Sequence, residues 1–133
     1  MTSMAADTAV REVLESLYRA WEDNDAEAFA ALYEDDATVV MPGVLHQGRS
    51  AVRDYMAAAF AGPLKGSRGI DHPQDIRIIG SDTAIVVSKA GIIMADEQEL
   101  PTERERFATW VLCKRNGRWR IAAYANAPAH QSG

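Results

Sequence analysis

Residues 107–126 read FATWVLCKRNGRWRIAAYAN, and this stretch decides the fold. Asn116-Gly117 is a two-residue turn signal, because a type I′ hairpin turn needs positive φ at both central positions. The turn fixes a register. Arg115 falls opposite Arg118, Leu112 opposite Ile121, Trp110 opposite Ala123 and Ala108 opposite Ala125. The other face carries Phe107, Thr109, Val111 and Cys113, opposite Asn126, Tyr124, Ala122 and Arg120. Both faces are largely apolar, so both need a cover. Helices are assigned to the Trp110 face, where alanines opposite an indole leave room for a cavity. The face with Phe107, Thr109, Val111 and Tyr124 is then expected to be covered by a second copy, giving a homodimer.

Moving outward, residues 104–114 alternate as one long strand, residues 83–94 are β-rich, and Ile76 and Ile78 lead into a turn at residues 80–82. Before them the period changes. Val10, Val13, Leu14, Leu17, Tyr18 and Trp21 form one helical stripe, capped by Asp7 or Thr8. Asp25 can cap a short second helix bearing Phe29, Leu32 and Tyr33, with Asp35-Asp36 at its end. Val52, Tyr55, Met56, Ala59 and Phe60 make a third helix after Gly48, stopped by Gly62-Pro63. Residues 37–41 form a short strand, residues 43–48 a loop, and residues 62–69 the most mobile loop. The order predicts an α+β, cone-shaped fold with three N-terminal helices on the concave face of a curved antiparallel sheet. Its 133 residues have room for one domain, with an ordered core at about 7–127 and frayed residues beyond Pro128.

Composition removes several classes of function. The net charge is −5, so a nucleic-acid partner is not expected. The basic cluster Lys114, Arg115, Arg118 and Arg120 flanks the turn and reads as a solvated hairpin tip. Cys113 is the one cysteine, which excludes an intrachain disulfide. No run is long enough for a membrane span, residues 1–7 lack a signal peptide's pattern, and the cytoplasm is the expected address. His46, His72 and His130 are scattered, so neither a metal nor another cofactor is expected.

The segments at residues 18–43 (YRAWEDNDAEAFAALYEDDATVVMPG), 48–56 (GRSAVRDYM) and 111–127 (VLCKRNGRWRIAAYANA) resemble the SnoaL-like branch of the nuclear transport factor 2-like superfamily. Within it they are most similar to the SgcJ/EcaC family. The resemblance implies the same cone and a pocket. It also implies a polyketide- or enediyne-type ligand of antibiotic biosynthesis, handled by cofactor-free isomerisation, cyclisation or dehydration. SnoaL-like cyclases use a pocket acid as base, and no residue here is matched to it. The calcium/calmodulin-dependent kinase association domain is a more distant likeness, which carries the alternative of a non-catalytic assembly domain. Its acid-binding arginines correspond to Lys89, Trp110 and Asn126, and its pocket aromatic and histidine positions to Phe29, Val52 and Phe60. Only Lys89 keeps a cationic character, so the pocket is expected to be flatter, more apolar and more aromatic.

The expected pocket comprises Tyr18, Trp21, Phe29, Val52, Tyr55, Met56, Phe60, Lys89, Arg106, Trp110 and Asn126. Lys89, His72 and Tyr55 are the catalytic candidates. Lys89 shares its row with Ile85 and Val87, and is either a pocket ammonium or solvated if that strand's parity is inverted. Asp71, His72 and Asp75 have the composition of an acid/base set, but Pro73 marks an edge strand, and a solvated edge is the alternative reading. His72 shares parity with Ile76 and Ile78, which would turn it inward. Asn126 reaches the pocket only if a β-bulge between Ala123 and Asn126 shifts the alternation by one residue.

Overall fold

The computed structural model describes residues 2–130. Helix α1 (Thr2–Glu22) is followed by α2 (Ala26–Ala30), strands β1 (Tyr33–Met41) and β2 (Val44–Gln47), and helix α3 (Arg49–Ala61). Strands β3 (Arg68–Ile79), β4 (Thr83–Ile93), β5 (Arg106–Arg115) and β6 (Arg118–Pro128) complete the chain. The six strands form one sheet in the order β2-β1-β6-β5-β4-β3. It is antiparallel except where β1 runs parallel to β6, so the fold is the expected α+β cone with one parallel seam.

Helix α1 buries Val10, Leu14, Leu17 and Trp21, and α3 buries Val52, Met56, Ala59 and Phe60, as their periodicities dictate. They meet Val86, Trp110, Leu112 and Ile121 on the sheet's concave face. Truncating a fully enclosed side chain such as Leu17 would cost about 2–5 kcal/mol in lost transfer energy and cavity formation. No helix among the described residues is long and apolar enough to cross a membrane.

Several local expectations are corrected. Helix α1 already runs through Asp7, which accepts a hydrogen bond from Arg11 Nε at 2.7 Å one turn later instead of capping. Asp25 does cap α2, accepting from Ala28 N, but α2 lasts one turn; Tyr33 begins β1, and the Asp35-Asp36 pair lies inside that strand. Residues 44–47, expected as loop, form β2 against β1. The supposed mobile loop ends early, because buried Ser67 accepts from Trp21 Nε1 at 2.9 Å and donates to Leu64 O at 2.7 Å. Ala129 N donates to Glu105 O at 2.9 Å and His130 sits 2.9 Å from Glu105 Oε1; the rest of the tail, residues 131–133, lies outside the described residues.

The hairpin turn forms as read, with φ of 52° at Asn116 and 75° at Gly117. The pairing Leu112–Ile121 holds, but Val111 then meets Ala123, so Ala122 is an extra residue in β6. Beyond it Trp110 faces Tyr124 and Ala108 faces Asn126. The bulge thus lies one residue before the expected interval. It moves Tyr124 from the supposed dimer face to the concave side. A second irregularity sits at Gln74 in β3, where the register shifts between Pro73 and Asp75.

Candidate functional site

Between α1, α3 and the sheet lies a cavity of about 230 Å³. Ligand pockets usually measure roughly 300–1,000 Å³, so this one limits a ligand to very few rings. Of the expected residues, Tyr18, Trp21, Phe29, Val52, Tyr55, Met56, Arg106, Trp110 and Asn126 line it. Phe60 stands behind the wall, its ring 5.6 Å from Trp21 and 6.2 Å from Phe29. Leu17, Tyr33, Val39, Met41, His46, Leu64, Ile92, Arg104 and Tyr124 complete most of the surface. Apolar and aromatic groups dominate, which suits the transfer of an apolar ligand from water.

Lys89 is not in the cavity. It pairs with Phe107 and with His72 on the outer face, while Ala84, Val86, Ser88 and Ala90 form the buried row of β4. The inward row is made of small residues, so the bulkier Ile85, Val87 and Lys89 row gave the stronger but inverted hydrophobic signal. His72 is likewise exposed on the outer face, because the Gln74 bulge breaks its phase with Ile76 and Ile78. Its neighbour Asp71 faces inward.

Asp71 is the central polar group. Its Oδ2 accepts from Tyr18 Oη at 3.0 Å and from Trp110 Nε1 at 3.2 Å. Its Oδ1 is buried with no hydrogen-bond partner among the described residues. The carboxylate stands in the wall that Tyr18 and Gly69 share between the cavity and a shallower groove along α1. Glycine is required at 69: a Cβ there would lie 2.5 Å from Tyr18 Cε1. Burial, then the charge of Asp71, pushes the Tyr18 hydroxyl well above the usual phenol range. Tyr18 therefore stays a proton donor to Asp71 throughout the neutral range.

Tyr124 forms a second polar cluster. Its ring lies 4.3 Å from that of Trp110, and its oxygen accepts from Asn126 Nδ2 at 2.7 Å. Arg106 Nη1 donates to Asn126 Oδ1 at a long 3.4 Å, and Arg106 makes no ion pair among the described residues. Burial raises the Tyr124 hydroxyl above its ordinary range, with the Asn126 bond and the Arg106 charge opposing that rise. Because the Tyr124 oxygen is the acceptor in its bond to Asn126, its own proton is left to donate. The cavity thus holds a donor, Tyr124, and an acceptor system, Tyr18 backed by Asp71. The strap from β4 to β5 brings Arg104 to the cavity wall and is latched by Arg104 Nη1 donating to Glu97 Oε2 at 2.9 Å.

Tyr55 lines the rim, 40% exposed, with its ring 4.4 Å from that of His46. His46 was expected in a loop, yet it projects inward from β2 opposite buried Val39. The alternation of Val44 and His46 after the Pro42-Gly43 turn was the available signal. For Asp71 the signal was Pro73, since proline inside a strand marks an edge or a bulge. Among the described residues, no three His, Cys, Asp or Glu side chains come together as a metal-ligand set.

Residues 2–125 match the SnoaL-like domain family. No curated protein sequence matches the chain. Among solved structures, a domain of unknown function with a cystatin-like fold from Nostoc punctiforme is similar at 23% identity and a TM-score of 0.87, over 96% of this chain and 79% of that one. A Novosphingobium aromaticivorans protein described as a "putative scytalone dehydratase" is similar at 18% identity and a TM-score of 0.80, over 97% and 87%. A Thiobacillus denitrificans protein described as a "putative calcium/calmodulin-dependent protein kinase type II association domain" is similar at 19% identity and a TM-score of 0.75, over 89% and 93%. At these identities the likeness shows the fold. The family match over residues 2–125 shows the membership: this chain belongs to the SnoaL-like domain family, with the nuclear transport factor 2-like, cystatin-like fold.

Proposed function

We propose that the protein is a small-molecule-binding tailoring or accessory protein of secondary metabolism, holding a hydrophobic polyketide-type ligand in its cone. Its chemistry is cofactor-free isomerisation, cyclisation or dehydration. The observation that carries this reading is Asp71, a half-buried carboxylate bonded by Tyr18 and Trp110, whose other oxygen is buried and has no partner among the described residues. The SgcJ/EcaC resemblance supports the ligand class, and the fold shared with the putative scytalone dehydratase is compatible with dehydration.

The ligand carbonyl accepts the Tyr124 O–H. A proton on the adjacent carbon moves to the Tyr18 oxygen as the Tyr18 proton passes to Asp71 Oδ2. The C–H electron pair forms the enolate, whose oxygen charge is stabilised by Tyr124 with Asn126 and Arg106 behind it. Return of the proton to a different carbon completes an isomerisation. Departure of a β-hydroxyl as water, carrying that proton, completes a dehydration. The test is α-proton exchange of 2-tetralone in D2O, followed by NMR. Tyr18→Phe and Asp71→Asn are each expected to slow protein-dependent exchange by roughly a hundredfold or more. Exchange at the wild-type rate in both would overturn the relay.

The outer sheet face bears a second copy in this reading. Phe107 is 45% exposed there, beside Ile85, Val87, Thr109 and Val111. Ala123 and Ala125 extend the face in the place first given to Tyr124. No helix among the described residues packs on it, and its low relief suits a matching flat sheet. Val111→Asp is expected to give monomers by analytical ultracentrifugation; a dimer of unchanged affinity would exclude this face.

A further inference from the structure

His46 is absent from the relay described above, yet its Nε2 is buried and has no hydrogen-bond partner among the described residues. The imidazole lines the cavity beside its ladder partner Val39 and against the Tyr55 ring. A water beside Nε2 would need two to four polar partners, and these neighbours offer few. A buried nitrogen left unpaired is costly, and a ligand group that fills it recovers that cost.

The position of His46 defines what kind of ligand this is. It stands on β2, and Asp71 stands on β3, the two opposite edge strands of the curved sheet. The geometry points to a ligand with an oxygen function at each end, one engaging Tyr124 and Tyr18–Asp71 and the other a hydroxyl bonded to His46 Nε2. A hydroxyl fits because it donates to an unprotonated Nε2 and accepts from a protonated one, so either imidazole tautomer is served. A ketone or ether oxygen could serve only one. This assignment rests on the ligand-cavity reading and adds the second subsite to it. The Tyr55 ring lies beside the imidazole, tilted by 45°.

The experiment compares naphthalene, 2-naphthol and 2,6-dihydroxynaphthalene by fluorescence titration, with 15N NMR of the His46 imidazole. The second hydroxyl is expected to tighten binding roughly tenfold over 2-naphthol in the wild type. His46→Phe should erase that difference, read as the ratio of the two affinities within the variant. His46→Gln, whose carboxamide supplies a donor and an acceptor at that position, should restore part of it. The Nε2 resonance should move with the diol and stay still with naphthalene. A difference between diol and 2-naphthol that survives in His46→Phe, or an Nε2 signal indifferent to the diol, would overturn the subsite while leaving the cavity reading intact. Failure of naphthalene itself to bind the wild type would overturn the cavity reading, and this one with it.

Discussion

β3 and β6 each carry one inserted residue, Gln74 and Ala122, and the two bulges select opposite kinds of residue for the interior. In β6 the insertion brings Tyr124 and Asn126 onto the Trp110 face and sends Ala123 and Ala125 out. In β3 it leaves Asp71 inside upstream and Ile76 and Ile78 inside downstream, with His72 outside. One bulge therefore adds polar groups to the cavity, and the other chooses which of two adjacent titratable residues enters. Strand parity carries information only as far as the next bulge.

Removing the side chains that the bulges turn inward should cost stability in proportion to what each one packs or bonds. Tyr124→Ala removes the ring that the Ala122 insertion sets opposite Trp110. The expected loss is about 3 kcal/mol, the low end for a core aromatic ring, read by urea unfolding. Wild-type stability would mean that the ring adds nothing to the concave face. Asp71→Ala removes the carboxylate that β3 keeps inside upstream of Gln74. Tyr18 and Trp110 then lose their acceptor, at about 1–3 kcal/mol for each buried donor left unpaired.

Much of this was legible in the residues. The helical stripes of α1 and α3 depend on a period that a single backbone irregularity does not reset, and nine of the eleven expected pocket residues line the cavity. The Asn116-Gly117 turn fixed the hairpin as far as Ile121. Lys89 was misplaced because β4 turns small residues inward and branched ones outward. Asp71 reads in a set with His72 and Asp75, of which His72 is the candidate, and His46 reads as a loop residue, both for a different reason. A bulge or a short edge strand leaves little periodic trace, and the partners that give these groups meaning are Tyr18 and Trp110 in one case and Tyr55 in the other. They lie on other elements.

The tyrosines sharpen the comparison from the side of pH. Tyr18, Tyr33 and Tyr124 are all raised above the unfolded value near 10, chiefly by burial. Above that pH the folded chain holds more protons than the unfolded one, so stability falls as pH rises; below it the contribution is fully present. Tyrosinate absorbance from these three rings should therefore appear together with unfolding, followed by far-ultraviolet circular dichroism. Ionisation of all three near pH 10 in a folded protein would contradict their burial.

The smallest effect is expected at the strap. Arg104 and the Met94 amide hold the Glu97 carboxyl down to about 2. This contribution is present above the ordinary value of 4.5 and is lost as pH falls toward 2. Glu97→Gln should speed amide exchange across residues 94–105 at neutral pH with little change in global stability. Unchanged exchange would show that Leu100, packed over Gly91, holds the strap without the latch.

The most direct measurement is an isotope-filtered NOESY of 2-naphthol bound to 13C,15N-labelled protein. Ligand cross-peaks are expected to the rings of Tyr18, Trp110 and Tyr124 and to the Asn126 side-chain amide, with none to Phe107 or Lys89. Cross-peaks to Phe107 and Lys89 without those to Tyr124 and Asn126 would place the ligand on the outer sheet face and contradict it.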